Sequence, residues 1–217
     1  MTYIHWEKPF YLDIRTLSTS KSPQDFYTIP VPTYGNYGGP GYTQGDFGEN
    51  PLEQPKRSEK PLDALDRQFH RHDVACALAG NDPAAQVAAD LALIQNIAGL
   101  SDEKLADPEA SLYAGLATLV FIGQVAVSGT REQFRDARLA LPDALDNITS
   151  GLAGLPFGER YTASLWLAQA TELIESDGKS NILDSAINIL DDQLPFYGGI
   201  DILDRAVSIL DDHLPFF

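Results

Sequence analysis

One histidine lies on the apolar face of a helix that the sequence predicts over residues 61–79. A four-three-four-three spacing places His72 with the other residues of that face: Leu65, Phe69, Cys76 and Ala79. A leucine is the usual residue at such a position. An imidazole held by a carboxylate through one ring nitrogen can take a proton from water through the other, which is general-base chemistry.

Two helices joined by a tight turn are predicted to position this histidine. Pro61 and Asp63 begin the first helix, and Gly80 suits the left-handed residue that ends it. Asp82 followed by Pro83 supplies an N-cap and a first-turn proline for the second helix. The sequence therefore predicts an antiparallel helical hairpin.

The register of that hairpin predicts a partner for His72. His72 lies nine residues before the turn at Asn81, and Asp90 lies nine residues after it. The inward face of the second helix consists of four residues: Val87, Asp90, Leu91 and Ile94. A hydrogen bond between His72 and Asp90 is therefore expected. It suits a general base, and the alternative is a buried histidine satisfied by a structural aspartate.

A glycine-rich segment precedes the hairpin and is a candidate cation site. YGNYGGPGYTQGDFG, residues 34–48, contains six glycines and one proline and must form a sharply turning loop. Asp73 follows His72 directly and so projects about 100° around the helix, toward a different neighbour. If that neighbour is the loop, its carbonyls and the Asp73 carboxylate supply the oxygen ligands that calcium prefers. A Lewis acid beside a general base is suited to ester hydrolysis.

These motifs resemble those of phospholipase A2. The segment YGNYGGPG (34–41) resembles its calcium loop, and PLDALDRQFHRHD (61–73) resembles its catalytic helix. The chain lacks the cysteines of the secreted enzymes, and with ADLALIQNI on the second helix it is similar to the phospholipase domain of parvovirus capsids. The resemblance covers residues 34–98. It implies a mainly α fold, with a phospholipase A2-like hairpin and calcium loop followed by extra C-terminal helices.

The resemblance also implies an activity, which is calcium-dependent hydrolysis of the sn-2 ester of glycerophospholipids at a membrane surface. His72 would activate a water molecule, and Asp90 would orient His72. The implied Ca²⁺ ligands are the Asp73 carboxylate and three main-chain carbonyls: those of Tyr37, Gly39 and Gly41. The Gly39 amide would help to stabilise the oxyanion. Cys76 occupies a position where many secreted members have a tyrosine that steadies the aspartate.

A cluster of basic residues near the proposed site could meet anionic lipid headgroups. Its members are Lys56, Arg57, Lys60, Arg67 and Arg71. The alternative is an ordinary solvated face, because four acidic residues are interleaved with them: Glu53, Glu59, Asp63 and Asp66. His70 is interpreted as a surface residue.

Composition limits the partners and the compartment. Fifteen Lys and Arg against 31 Asp and Glu give a net charge of −16, which disfavours general nucleic-acid binding and favours cations. Cys76 is the only cysteine, so an intramolecular disulfide is excluded. Because charges interrupt the N-terminal segment, it does not resemble a secretory signal, and we expect a cytoplasmic location or export by a non-classical route.

Four segments are predicted along the chain: an N-terminal segment 1–33, a phospholipase A2-like core 34–100, a helical extension 101–178 and a tandem repeat 179–217. The N-terminal segment is expected to be irregular or to form short strands. Helices are expected at 109–128, 131–141 and 159–176. Residues 110–130 carry no charge, so a membrane span is the alternative to a buried helix. Gly115, Gly123 and Gln124 lower the hydropathy of that run and favour burial.

The tail contains an internal repeat. NILDSAINILDDQLPFY (181–197) returns as DILDRAVSILDDHLPFF (201–217), with 11 of 17 positions identical. Each copy has helical spacing of apolar residues and ends at a proline. The repeat supports a second hypothesis, in which two docking helices bind a groove on a protein partner and the phospholipase core is inactive or regulated. The alternative is that both helices pack on their own domain.

Overall fold

The computed structural model describes residues 3–13, 28–48, 52, 59–160 and 162–163. Within these residues the protein is mainly helical, as predicted. The strands are β1 Ile4–Asp13, β2 Thr28–Tyr34, β3 Tyr42–Thr43 and β4 Asp46–Phe47. The helices are α1 Ala64–Ala79, α2 Pro83–Ala98, α3 Pro108–Ser128, α4 Arg131–Arg138 and α5 Leu141–Gly154, with a 3-10 turn at Asp102–Leu105. β1 pairs with β2, and β3 pairs antiparallel with β4.

The predicted end of α1 and the predicted start of α2 are confirmed, whereas α1 begins at Ala64 and not at residue 61. Asp63 and Asp82 are the N-caps, and each carboxylate accepts a hydrogen bond from a backbone N–H of the first turn. Gly80 ends α1 with a positive φ of 56°, and its N–H is donated to the carbonyl of Cys76. Because only a few residues separate the two helices, they pack directly against each other.

Helix α3 contains most of the uncharged run 110–130, and it packs against α2, α4 and α5. Pro108–Ala126 is long and apolar enough to cross a membrane by length and composition alone, yet 67% of this stretch is buried inside the protein. Such burial is typical of a core helix, which the sequence favoured. Close packing on α5 requires glycine at position 151, where a Cβ would lie 2.4 Å from the Leu112 nitrogen.

The chain forms two compact units. One comprises residues 1–11 and 30–154, and the other comprises residues 12–29 and 155–217. The glycine loop and helices α1 to α5 belong to the first unit. The predicted boundary between residues 33 and 34 falls inside β2. Most of the predicted helix 159–176 and both tail repeats lie outside the described residues.

Candidate active site

His72 and Asp90 meet across α1 and α2. The Nε2 atom of His72 lies 2.8 Å from Oδ1 of Asp90, and the two side chains are only 13% and 4% exposed. This contact confirms the predicted hydrogen bond. An ionised carboxylate can only accept, so Nε2 carries the ring hydrogen and Nδ1 carries the lone pair of a neutral imidazole. The Phe121 ring of α3 lies edge-on to the imidazole, with ring centroids 4.8 Å apart.

Cys76 lies one helical turn after His72 and contacts the imidazole. Its Sγ atom is 3.4 Å from Nε2 and 4.0 Å from Nδ1 of His72. Burial, together with the negative charges of Asp90 and Asp73, raises the pKa of the Cys76 thiol to about 11. The thiol is therefore neutral at pH 7, and Cys76 is a small polarizable neighbour of the histidine.

Asp66 attaches the glycine loop to α1. Its fully buried carboxylate accepts hydrogen bonds from the backbone nitrogens of Tyr37 at 2.8 Å and Asn36 at 3.0 Å, and from that of Leu62 at 2.8 Å. Burial raises the pKa of Asp66, and these backbone hydrogen bonds partly offset the rise. The interpretation of Asp66 as part of a solvated face is therefore wrong, because this residue holds the start of the loop.

Hydrogen bonds within the glycine loop, and others from a side chain of α3, also hold the loop in place. The backbone groups of Tyr34 and Gly38 exchange two hydrogen bonds of 2.7 and 2.8 Å. The buried hydroxyl of Tyr113 lies 3.1 Å from the carbonyls of both Pro32 and Gly38, to which it can donate. The loop is thus fixed to two helices by buried hydrogen bonds, as a preformed ligand site requires.

Asp73 is directed toward the loop, as the 100° offset from His72 predicts. The Thr43 hydroxyl lies near its carboxylate and partly offsets the effect of burial, which raises the pKa of Asp73 to about 7. Oδ2 of Asp73 and Oγ1 of Thr43 are both buried without a hydrogen-bond partner among the described residues. The charge of Asp73 also contributes to raising the pKa of Tyr37. A buried carboxylate oxygen without a partner is costly unless something compensates it.

The backbone of the loop has groups suited to calcium and to an oxyanion. Within the described part of the chain, the carbonyl of Tyr37 accepts no hydrogen bond and the N–H of Gly39 donates none. The Gly39 carbonyl accepts one from Tyr42 at 3.1 Å, and that of Gly41 accepts one from Gly48 at 2.9 Å. Each of those two carbonyls keeps a second lone pair. These carbonyls and the unpartnered Asp73 carboxylate are oxygen donors of the class that Ca²⁺ takes, and their joint binding of the ion stays a prediction.

Three residues that position the site were not identified from the sequence. Asp66 precedes Phe69 and Asp73 by three and seven residues, a helical spacing that places all three on the side of α1 facing the loop, so the pattern contained a usable signal. Tyr113 and Phe121 lie in the uncharged run of α3, where helical periodicity gives no indication of what each side chain will contact.

The structure describes three members of the basic cluster, all of them exposed: Lys60, Arg67 and Arg71. Lys56 and Arg57 lie outside the described residues. The interpretation of His70 as a surface residue needs correction, because its ring is only partly exposed and packs on Tyr37, with ring centroids 4.5 Å apart. A charged patch beside the loop is thus partly present, and its role in lipid binding stays a prediction.

Comparison of the chain with known protein families, with curated proteins and with solved structures found no match. The functional interpretation therefore depends on the residues of the site and on their geometry.

Asp66→Asn is expected to destabilise the protein by about 1–3 kcal/mol, because an amide has only one acceptor oxygen and turns an N–H₂ group toward a backbone donor. Urea unfolding at pH 7 measures the change. The same substitution at the exposed Asp146 of α5 is the matched control and should change stability by less than about 0.5 kcal/mol. Equal effects at the two positions would show that the Asp66 hydrogen bonds do not hold the loop.

Proposed function

We propose that this protein is a calcium-dependent phospholipase A2 that hydrolyses the sn-2 ester of glycerophospholipids. The observation that carries the proposal is the 2.8 Å hydrogen bond between His72 and Asp90. Asp73 directly follows His72, and its carboxylate is directed at the glycine loop. A general base and a cation site on adjacent residues of one helix are suited to activating water and an ester carbonyl together.

The proposed reaction begins at Nδ1 of His72, which takes a proton from a water molecule as the water oxygen bonds to the sn-2 carbonyl carbon. Asp90 stabilises the imidazolium that forms and keeps the ring oriented. The carbon–oxygen bond to the glycerol then breaks, and the imidazolium returns the proton to the leaving alkoxide. The products are a free fatty acid and a lysophospholipid.

The residues that would hold Ca²⁺ are Asp73 and the carbonyl groups of Tyr37, Gly39 and Gly41. When bound, calcium would polarise the ester carbonyl and stabilise negative charge on its oxygen. The N–H of Gly39 is a second donor for that oxygen, because it donates no hydrogen bond among the described residues. Asp66 and Tyr113 keep these backbone groups in place, so that little reorganisation is needed during the reaction.

Fatty acid release from vesicles tests the proposed function. Purified protein is incubated with phosphatidylglycerol or phosphatidylcholine vesicles in Ca²⁺, in Mg²⁺ and in EDTA. We expect release in Ca²⁺, and none above background in Mg²⁺ or EDTA, because Mg²⁺ demands a smaller and more regular octahedral site. Release that is equal in Ca²⁺ and EDTA would contradict the proposal.

The second candidate function is that of an interaction protein whose tail repeats dock into a groove on a partner. It is favoured by the repeat itself, since two linked copies raise the avidity without any new contact. Deletion of residues 180–217 separates docking from packing. Unchanged melting with lost capture of a partner supports docking, and a large loss of stability supports packing on the protein's own domain.

A further inference from the structure

One nucleophilic side chain at the site has no part in the proposed hydrolysis. Cys76 belongs to the same face of α1 as His72, four residues later, and Asp90 approaches both from α2. One ligand atom from each of these three side chains lies within 4.8 Å of the others. A nitrogen, a sulfur and a carboxylate oxygen therefore converge at one point beside the proposed catalytic base.

We propose that His72, Cys76 and Asp90 form a binding site for Zn²⁺, and that an ion bound there stops hydrolysis by occupying the imidazole of His72. The inhibitory consequence rests on the proposed function, whereas the binding site does not.

The distances suit tetrahedral coordination. Typical zinc bond lengths to histidine, cysteinate and carboxylate place neighbouring ligand atoms about 3.3–3.6 Å apart. In the structure Sγ of Cys76 is 3.4 Å from Nε2 of His72, and Nε2 is 2.8 Å from Oδ1 of Asp90. To admit an ion, the hydrogen-bonded pair must separate by roughly half an ångström. Sγ of Cys76 and the Asp90 oxygen, which lie within 4.8 Å of each other, must approach to about 3.5 Å. Three protein ligands leave the fourth position to water.

The chemistry of the donors separates this site from the proposed calcium site. Calcium is a hard cation that takes oxygen ligands, and the oxygens near Asp73 belong to a carboxylate and to backbone carbonyls. Thiolate and imidazole select borderline and soft ions such as Zn²⁺ and Co²⁺. The two sites use adjacent residues of α1, His72 and Asp73, and are expected to discriminate between these two classes of ion.

Zinc binding would move two protons. Cys76 would release its thiol proton to solvent as the sulfur–metal bond forms. Nε2 of His72 would give its lone pair to the metal, so the single ring hydrogen of the neutral imidazole must reside on Nδ1. Asp90 would exchange its hydrogen bond for a metal–oxygen bond. Without a lone pair on Nδ1, the imidazole cannot take a proton from water.

Titration of the reduced, metal-free protein with Co²⁺ tests the site without any assay of activity. Cobalt bound to a thiolate gives a charge-transfer band in the near ultraviolet, and tetrahedral coordination gives intense visible bands. Because Cys76 is the only cysteine, any thiolate band reports on this residue. We expect both features in the wild type, and we expect Zn²⁺ to abolish them by displacement.

Two substitutions of the ligands and one control make the titration decisive. Cys76→Ser should remove the charge-transfer band and weaken Zn²⁺ binding by more than about 100-fold, since loss of a direct ligand exceeds the usual effect of an outer-shell partner. Asp90→Asn provides a second ligand variant if the first does not fold, as judged by circular dichroism. Asp146→Asn, which changes an exposed carboxylate of α5, should leave the cobalt spectrum and affinity unchanged.

The outcomes distinguish failure of the site from failure of the proposed function. A wild type without a thiolate band, or a band that persists in Cys76→Ser, overturns the zinc site even if the protein hydrolyses phospholipid. A thiolate band in a protein that does not hydrolyse phospholipid supports the zinc site and contradicts the proposed phospholipase activity. If both are present, Zn²⁺ should suppress calcium-dependent hydrolysis in the wild type, and hydrolysis that persists at saturating Zn²⁺ overturns the inhibitory role.

Discussion

Replacing His72 by glutamine is expected to lower kcat for sn-2 hydrolysis by at least about 10⁴-fold. Glutamine keeps a side-chain N–H that can donate to Asp90, but it has no basic nitrogen to accept the proton from water. Steady-state fatty acid release from phosphatidylglycerol vesicles at saturating Ca²⁺ measures the change. Binding of Ca²⁺ should be nearly unaffected, because the imidazole is not among the proposed calcium ligands.

The same substitution at His70 is the matched control for His72→Gln. His70 belongs to the same helix and packs on Tyr37, so it tests whether loss of any imidazole near the loop is enough. We expect less than about a tenfold change, because the His70 ring takes no part in the proposed proton transfer. Asp90→Asn should be strongly impaired, and adding it to His72→Gln should cost little more, since residues that act as a unit are not additive. Similar losses at His70 and His72 would contradict a base role for His72.

Replacing Asp73 by asparagine is expected to stabilise the calcium-free protein at pH 8 by a few kcal/mol while abolishing its response to calcium. Burial raises the pKa of Asp73 from its ordinary value of 3.8 to about 7, so the folded state holds this proton more tightly than the unfolded state. The resulting stability is complete below about pH 4 and is lost as the pH rises through 7. The wild type should therefore lose up to about 1.4 kcal/mol per pH unit in that range from this group.

Urea unfolding of the metal-free protein at several pH values between 5 and 8 measures the effect of Asp73→Asn. The variant should lack the Asp73 component of the pH dependence, whereas Asp146→Asn should retain it. At pH 8, Ca²⁺ should raise the Tm of the wild type and of Asp146→Asn but not that of Asp73→Asn, because binding to the folded state alone stabilises it. A calcium-induced rise in Tm in Asp73→Asn would place the cation elsewhere.

The contact between His72 and Asp90 could be predicted because local signals fix it. The caps at Asp63 and Asp82 and the positive φ at Gly80 define where α1 ends and α2 begins, and the rise per residue then sets the register. Such arithmetic works across a short turn because few conformations are available to the connecting residues. The catalytic role of the pair does not follow from the same arithmetic, and it stays a prediction.

Helix α5, Leu141–Gly154, was not predicted, although a buried helical face runs through Ala144, Ile148, Gly151 and Leu152. The segment contains β-branched residues and glycines that disfavour isolated helices. Its formation depends on packing against α3, where the backbones approach so closely that only glycine fits at position 151. Tertiary packing of this kind outweighs local propensity.

Asp66 was misinterpreted for a different reason. In the sequence it is one of several acidic residues interleaved with basic ones, a pattern typical of solvated helix surfaces. In the structure it is the fully buried acceptor for backbone N–H groups of a loop some 30 residues earlier in the chain. Charge patterns along one helix do not reveal a backbone partner that is distant in sequence.

The most direct test of the central claim identifies which ester bond is cleaved. A phosphatidylglycerol with palmitoyl at sn-1 and oleoyl at sn-2 is incubated with the wild type in Ca²⁺ or EDTA, and the products are resolved by mass spectrometry. We predict oleate and palmitoyl lysophosphatidylglycerol in Ca²⁺ and neither product in EDTA. Release of palmitate as the main product, or equal release of oleate in EDTA, would contradict a calcium-dependent phospholipase A2 built on His72, Asp90 and Asp73.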